Sequence, residues 1–261
     1  MSDFYLTLPS NSSMAIYPEN TMANFKTKLP NRVELEGRWE VGLVEMQYPH
    51  TWYNLREGEG EMTLISSPHD DHDVGSQITA PIHISPGYYH TVDDLLRRIE
   101  WEIGKAMNLV ANSPISFHYD EIKRRVTAKV VTRNSLQCAV LLGEAIQRIL
   151  GFDSSVISAG EIEASSAVDL DPLHSIYVYC DLIEPRVVGD KMAQLLRVVP
   201  VEGGSGQMVT RIYENVHYTP LQRKSFETVE IDIRDSLGVK VPFERGTLNV
   251  TLHFRRRRHM L

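Results

Sequence analysis

Five residues that could bind a metal ion follow one another in the stretch SPHDDHDVG: His69, Asp70, Asp71, His72 and Asp73. Imidazole and carboxylate groups bind zinc and related ions, but such sites usually draw their ligands from separate, rigid elements. These five lie side by side between predicted strands. The His-x-His pair that a cupin-type metalloenzyme would need is missing from the sequence. A solvated loop is therefore the favoured interpretation, and a metal-dependent enzyme built on His69 and His72 is kept as an alternative.

The glycine-rich stretch EGGSGQ raises the question of a nucleophilic serine. A nucleophile elbow has the pattern G-x-S-x-G, whereas Gln207 stands two residues after Ser205. A hairpin turn explains these glycines better. Nucleotide chemistry has no support either, because no predicted strand is followed by a Walker A lysine motif or by G-x-G-x-x-G. The sequence thus predicts neither a catalytic residue nor a cofactor.

Four consecutive arginines, Arg255, Arg256, Arg257 and Arg258, follow a predicted strand, TLNVTLHF, whose apolar residues alternate with polar ones. Guanidinium groups bind phosphates and carboxylates, so a contact to nucleic acid or to an acidic protein partner is one interpretation. A solvated tail or a nuclear localisation signal is the other. Adjacent guanidinium groups repel one another and are costly to desolvate, so the strand is predicted to end near Phe254.

Aromatic residues are concentrated in the stretches MQYPHTWYN and PGYYH, which contain Tyr48, Trp52, Tyr53, Tyr88 and Tyr89. Tyrosine and tryptophan are enriched in protein interfaces and suit ligand grooves. A lectin-like ligand-binding module is therefore an alternative function. Packing between two parts of the chain is the other explanation of this cluster.

The composition restricts the classes of function. The chain has 261 residues, of which 42% are hydrophobic and 23% charged, values typical of a globular protein with a sizeable core. Its net charge of -7 means that any contact with nucleic acid or anionic membrane must be local. The first residues lack a signal-peptide pattern, and no stretch reaches the ~20 apolar residues of a membrane span. Cys138 and Cys180 are expected to be reduced, in a reducing compartment.

Strand patterns dominate both ends of the sequence. Near the N-terminus the predicted strands are FYLTL, NFKTKL and RWEVGLVEMQY. In the third, the buried face switches near Leu43 or both faces are covered. From about residue 174 five more follow: SIYVYCDLI, QLLRVVPV, QMVTRIYENVHY, FETVEIDIR and TLNVTLHF. Eight strands are the number in a jelly roll, in which two four-stranded sheets face each other. The predicted fold is mainly β, a discontinuous jelly roll of residues 1–56 and 166–261 with an insertion at 57–165.

The insertion is predicted to contain a loop and an α+β subdomain. The loop comes first, with at most a short strand in MTLIS. A helix is clearest in HTVDDLLRRIEWEIGKAM, where Thr91 and Asp94 fit a variant of the capping box. The stretches ISFHY and RRVTAKVV predict a hairpin. A second helix is predicted in NSLQCAVLLGEAIQRILGF, with Asn134 or Ser135 at its N-cap and Gly151 just after its end. SSVISAGEIEASSAVD is the predicted return linker.

Several stretches together resemble a known family. They are SNSSMAIYPENTMANFKTKLPNRVELEGRWEVGLVEMQYPHTWYN, PGYYHTVDDLLRRI, QRILGF, YVYCDLIEPRVVGDKMAQLLRVVPV and LHFRR. In this order they are similar to the minor capsid (penton) protein of Polinton, or Maverick, elements. These elements are virus-like DNA transposons of eukaryotes, with relatives among adintoviruses and virophages. The similarity runs over essentially the whole chain.

The resemblance implies a structural protein of the virion and no catalysis. The implied assembly is a homopentamer at the five-fold vertices of an icosahedral capsid, beside a double-jelly-roll major capsid protein. Packaged DNA would then be a partner for the run Arg255 to Arg258, and assembly would take place in the host nucleus. No membrane partner is expected.

Overall fold

The computed structural model describes residues 3–68, 78–108, 113–131, 136–158, 160–171 and 173–257. The chain divides into two compact units. The first unit consists of Met1–Trp52 and Leu173–Leu261, and the second of Tyr53–Pro172. That the second unit is an inserted subdomain that folds by itself stays a prediction.

The regular elements are mostly strands. Up to the second helix they are β1 (Asp3–Pro9), β2 (Asn24–Glu34), β3 (Trp39–Pro49), β4 (Glu61–Pro68), β5 (Ile78–His83), α1 (Val92–Ala106), β6 (Ile115–Asp120), β7 (Arg125–Val130), β8 (Leu136–Leu142) and α2 (Glu144–Leu150). After it come β9 (Val156–Ile157), β10 (Gly160–Glu163), β11 (Ser175–Cys180), β12 (Arg186–Val188), β13 (Lys191–Ala193), β14 (Leu195–Pro200), β15 (Met208–Ile212), β16 (Thr219–Pro220), β17 (Ser225–Arg234) and β18 (Asn249–Arg256).

The first unit is a jelly roll of two antiparallel sheets. One sheet has the order β1-β18-β3-β15, with the short β16 also paired to β3, and the other has the order β14-β11-β17-β2. Numbered along the chain, the eight long strands thus lie in the orders 1-8-3-6 and 5-4-7-2. Most neighbours in a sheet come from distant parts of the sequence, as the two Greek keys of a jelly roll require. The chain is therefore mainly β with a jelly roll, as the count of predicted strands indicates.

Alternating apolar residues fill the space between these two sheets. In β18, Val250, Leu252 and Phe254 are buried, and the residues between them point away from the core. The Phe254 ring stacks on Phe4 of the neighbouring strand, with ring centres 4.7 Å apart. It also stacks on Phe226 of the opposite sheet, with ring centres 5.7 Å apart. These three rings join the two sheets near the end of β18.

Strand β3 changes its buried face part-way along its length. Leu43 is buried in the first half and Met46 in the second, although their positions differ in parity. The register between β3 and β18 shifts at Val44, which has no partner residue in β18. An extra residue of this kind is a β-bulge, and it turns the following side chains to the other face. Of the two alternatives left open by the sequence, the switch of face is therefore correct.

The second unit contains two further antiparallel sheets and both helices. The sheets have the orders β5-β4-β8-β9 and β10-β7-β6, so β6 and β7 form the predicted hairpin. Helix α1 begins with the predicted capping box, in which the Thr91 hydroxyl accepts from the Asp94 N–H at 3.1 Å. The Asp94 carboxylate accepts in return from the Thr91 N–H at 3.2 Å. The buried face of α1, which includes Leu96 and Ile99, belongs to the core of this unit.

The predicted second helix is wrong in its first half, which forms β8. This strand pairs with β4 on one side and with β9 on the other, and its Cys138 and Val140 are buried in alternation. The partner strands satisfy the backbone groups of this segment, so tertiary pairing overrides its helix-like pattern. Helix α2 starts only after Gly143. Asn134 and Ser135, the predicted N-caps, lie outside the described residues.

Two segments that were expected to be connections are partly strands. The stretch MTLIS belongs to β4, which pairs with β5 and with β8 and is therefore a central strand rather than a surface loop. The predicted return linker contributes β9 and β10 to the edges of two sheets. Strands β9 and β10 have two and four residues, too few for a clear alternation, so only their pairing partners identify them as strands. Gly151 ends α2 as predicted, with a φ of 80°.

Candidate partner interface at one end of the jelly roll

Strand β18 continues into the arginine run. Arg255 and Arg256 belong to the strand and pair with β3, so the strand ends at Arg256, two residues beyond Phe254, near which its end was predicted. The prediction rested on the high cost of burying guanidinium groups in continuation of the alternating apolar residues. Both arginines are exposed, so the sheet extends beyond the core without desolvating a guanidinium group. Arg257 follows the strand and is exposed, and Arg258 lies outside the described residues.

The guanidinium group of Arg255 is held within the chain. Its Nε donates to Oε1 of Glu40 at 2.7 Å, and its central carbon lies 3.4 Å from the centre of the Tyr218 ring. The Tyr218 hydroxyl shares a hydrogen bond of 2.8 Å with Nδ1 of His253, whose ring stacks on Tyr5. The ion pair and the cation–π contact both favour this position of the cation. The guanidinium group of Arg255 is therefore less available to bind an external anion than those of its neighbours.

Arg256 lines a groove of 820 Å³ whose apolar lining includes Phe4, Leu6 and Trp39. The groove runs between β1 and β2, which are edge strands of the two different sheets. One guanidinium nitrogen of Arg256 donates to the Glu36 carbonyl at 3.2 Å. We refer to this cavity as the apolar groove.

Arg257 lines a second cavity of 430 Å³ together with Arg38, Arg223 and Lys224. Among the lining residues of this basic pocket, the only carboxylate is that of Glu184. Arg38, Arg223 and Lys224 were not predicted as site residues, because they lie far apart in the sequence: Arg38 begins the predicted strand RWEVGLVEMQY, and Arg223 and Lys224 lie just before FETVEIDIR. Their position near the starts of two predicted strands was the only available signal.

The predicted aromatic cluster is divided between the two units. Tyr48 and Trp52 belong to the first unit, where they are 0% and 1% exposed. Tyr53, Tyr88 and Tyr89 belong to the second unit. A ligand cannot reach Tyr48 or Trp52, so these two rings do not line the groove that a lectin-like module would need. Burial also raises the pKa of the Tyr48 hydroxyl.

The candidate metal ligands and the candidate nucleophile of the sequence form no site in the described part of the chain. Within it, no three His, Cys, Asp or Glu side chains come together as metal ligands. His69 and His72 lie outside the described residues. Ser205 lies between β14 and β15, which belong to different sheets, so the predicted hairpin turn is wrong and the glycines serve a crossing between sheets. No helix of the described residues is long and apolar enough to cross a membrane.

Both cysteines are buried and form no disulfide. Burial raises the pKa of the Cys180 thiol to about 12, and it also raises the pKa of the Cys138 thiol. The thiolate is the reactive form of cysteine, so Cys180 is held in its unreactive form at neutral pH. Both residues act as small apolar side chains in the cores of their units.

The strand order places the first unit among single jelly rolls, and a solved structure shares the fold over the whole chain. The crystal structure of the mavirus penton protein matches with a TM-score of 0.54, covering 97% of this chain and 99% of that chain at 10% sequence identity. The cryo-EM structure of the Sputnik virophage matches with a TM-score of 0.45, covering 98% of each chain at 10% identity. No family model and no curated protein matches the sequence. The resemblance to penton proteins is thus confirmed as a likeness of fold.

Proposed function

We propose that this chain is a structural subunit of a virion, the minor capsid (penton) subunit of a Polinton-type element. The observation that carries the proposal is the fold shared with the mavirus penton protein over 97% of this chain and 99% of that chain. A jelly roll suits this work because its packed sheets supply a rigid body while its loops can vary. In this proposal the chain catalyses no reaction.

The proposed assembly is a homopentamer at the five-fold vertices of an icosahedral capsid. A closed ring needs a heterologous interface, in which one flank of a subunit fits the opposite flank of the next. The jelly roll offers two flanks of this kind: β1 and β2 are the edge strands beside the apolar groove, and β14 and β15 are the opposite edges. Edge strands need cover in a stable protein. Neighbouring subunits supply that cover in the proposed ring.

Exposed apolar side chains support a contact between these two flanks. On β15, Met208 is 57% exposed and Ile212 is 71% exposed. Side chains of this size contribute ~1.5–3 kcal/mol each when they become fully buried. The opposite flank offers Phe4, Leu6 and Trp39 in the apolar groove. We therefore propose that the β15 flank of one copy packs against the apolar groove flank of the next.

Native mass spectrometry and negative-stain electron microscopy test this assembly. The unchanged chain is expected to form rings of five copies, and Ile212→Glu to remain monomeric because it places a charge in the proposed interface. Leu237→Glu is the matched control, since Leu237 is 84% exposed and lies in the turn between β17 and β18. A chain that stays monomeric and also stays out of particles co-expressed with the major capsid protein would refute the proposal.

Further partners belong to the same proposal. The double-jelly-roll major capsid protein surrounds the vertex, and packaged DNA faces the run Arg255 to Arg258. Replacing all four arginines with Gln should leave the pentamers intact, whereas loss of the pentamers would assign the run to a contact between subunits. Assembly in the host nucleus stays a prediction that rests on the arginine run as an import signal.

A further inference from the structure

The basic pocket gathers positive charge from three separate segments of the first unit. Arg38 lies before β3, Arg223 and Lys224 lie before β17, and Arg257 follows β18. All four residues are exposed. The chain as a whole carries a net charge of -7, so this local excess of cations runs against the overall balance. Cations that converge on one cavity repel one another, and a bound anion relieves that repulsion.

Backbone hydrogen bonds hold these segments together. Three of them are Arg257 N–H to the Arg38 carbonyl at 2.9 Å, Leu221 N–H to the Trp39 carbonyl at 3.1 Å and Leu35 N–H to the Lys224 carbonyl at 2.8 Å. Gly37, which directly precedes Arg38, has a φ of 89°, a left-handed conformation that glycine adopts at no steric cost. The cationic side chains therefore project from a frame that exists before any ligand arrives, which lowers the entropy cost of binding.

Only part of the pocket's charge is compensated within the described residues. Arg223 forms an ion pair with Asp181, with the two side-chain atoms 3.4 Å apart. The carboxylate of Glu184 also lines the pocket. The other three cations of the pocket form no ion pair with any residue that the structure describes. An excess of positive charge thus faces the cavity.

We propose that the basic pocket binds a phosphate group, supplied either by a nucleic-acid backbone or by a small polyphosphate. A phosphate carries oxygens on several sides, so it can accept hydrogen bonds from groups that approach from different segments. A carboxylate has two oxygens in one plane and suits a single guanidinium fork. The 430 Å³ cavity, with cations arriving from three segments, matches the first geometry.

This site revises the nucleic-acid contact expected from the arginine run. Arg257 remains in the contact and Arg38, Arg223 and Lys224 join it, whereas Arg255 stays paired with Glu40. The affinity of the pocket for phosphate does not depend on the proposed capsid role. Only the nucleic-acid source of the phosphate rests on that role.

Two binding measurements distinguish the sources of the phosphate. Fluorescence anisotropy follows a labelled single-stranded DNA, and thermal shift follows inorganic phosphate and tripolyphosphate. Arg38→Gln and Arg257→Gln should each weaken binding by about tenfold or more, because each removes a charge-assisted contact. Each should also reduce the salt dependence of DNA binding: the negative slope of log affinity against log salt should become shallower by about 0.7. The matched control is Arg32→Gln, which removes an exposed arginine of β2 outside the pocket and should change neither quantity.

The possible results of these measurements either support the phosphate site or overturn it. Loss of binding in the two pocket variants but not in the control supports the proposal, with DNA as the source if the DNA responds and a polyphosphate if only tripolyphosphate does. Equal losses in all three variants, no binding of any of the three probes, or competition by polyglutamate as strong as that by tripolyphosphate would overturn it. The oligomeric state is read independently by electron microscopy, so a failure of ring assembly cannot be mistaken for a failure of this site.

Discussion

Replacing Phe254 with Ala tests how the two sheets of the jelly roll are held together. Phe254 is fully buried, and its ring lies 4.7 Å from that of Phe4 and 5.7 Å from that of Phe226. A buried phenylalanine covers ~150 Å² or more, which at ~25 cal/mol per Å² corresponds to ~4 kcal/mol. This value lies within the range of about 3–5 kcal/mol for Phe→Ala in protein cores. It is a large fraction of the about 5–15 kcal/mol that stabilises an ordinary domain.

The expected result is a fall of about 8–16 °C in the midpoint of thermal unfolding of the first unit, because 1 kcal/mol shifts a unit of this size by about 2–4 °C. Tryptophan fluorescence follows this unit selectively. Trp39 and Trp52 are buried in its core, whereas Trp101 of the second unit is 55% exposed. A transition seen by tryptophan fluorescence therefore reports mainly on the jelly roll.

Two further variants control this experiment. Tyr5→Ala removes a ring that is 62% exposed on the outer face of the neighbouring strand and should cost less than ~1 kcal/mol. Phe254→Leu keeps part of the apolar volume and should give an intermediate loss. If Phe254→Ala costs no more than Tyr5→Ala, the three stacked rings do not hold the sheets together and the reasoning is wrong.

Three predictions concern the second unit and the buried thiols. Thr91→Ala should lower the free energy of unfolding in urea by ~1 kcal/mol by removing an N-cap, and Thr91→Ser should restore most of it. The Thr91 hydroxyl is the main cause of the lowered pKa of Asp94. The contribution of this capping box to stability should therefore be present at neutral pH and be lost as the pH falls through that lowered pKa. Identical profiles of stability against pH for Thr91→Ala and the parent chain would contradict this. Gly143→Ala should destabilise the unit because the new Cβ would overlap the Glu61 carbonyl oxygen, whereas Gly87→Ala opens into free space and should be tolerated; equal unfolding midpoints would count against the tight contact. Cys180 should resist a thiol reagent in the folded chain and react in urea, since burial raises its pKa to about 12, and rapid labelling of the native protein would disprove its burial.

The long strands and the first helix were predictable because their signals are local. Alternation over about four to eight residues identifies a strand with one buried face, and a hydroxyl three residues before an acidic side chain identifies a helix start. Each of these patterns depends on neighbours in the sequence alone. The count of eight long strands then favoured a jelly roll, although no local pattern states which strands pair.

Strand pairing determines the elements that were predicted wrongly, or left open, from the sequence. The segment of Cys138 reads as a helix by spacing, but β4 and β9 satisfy its backbone and make it a strand. The bulge at Val44 depends on the register between β3 and β18, which are separated by most of the chain. Hydrogen bonds between strands outweigh intrinsic preferences of a few tenths of a kcal/mol per residue.

The candidate interface shows the same division. Sequence alone identified the run Arg255 to Arg258 as charge that must contact solvent or an anion, because guanidinium groups resist burial. Only the tertiary structure shows that these arginines have different environments. Arg255 pairs with Glu40, whereas Arg257 lies beside Arg38, Arg223 and Lys224. Electrostatic interactions act through space and are strongest over a few ångströms. A site assembled from turns that are far apart in the sequence therefore becomes visible only when the fold brings those turns together.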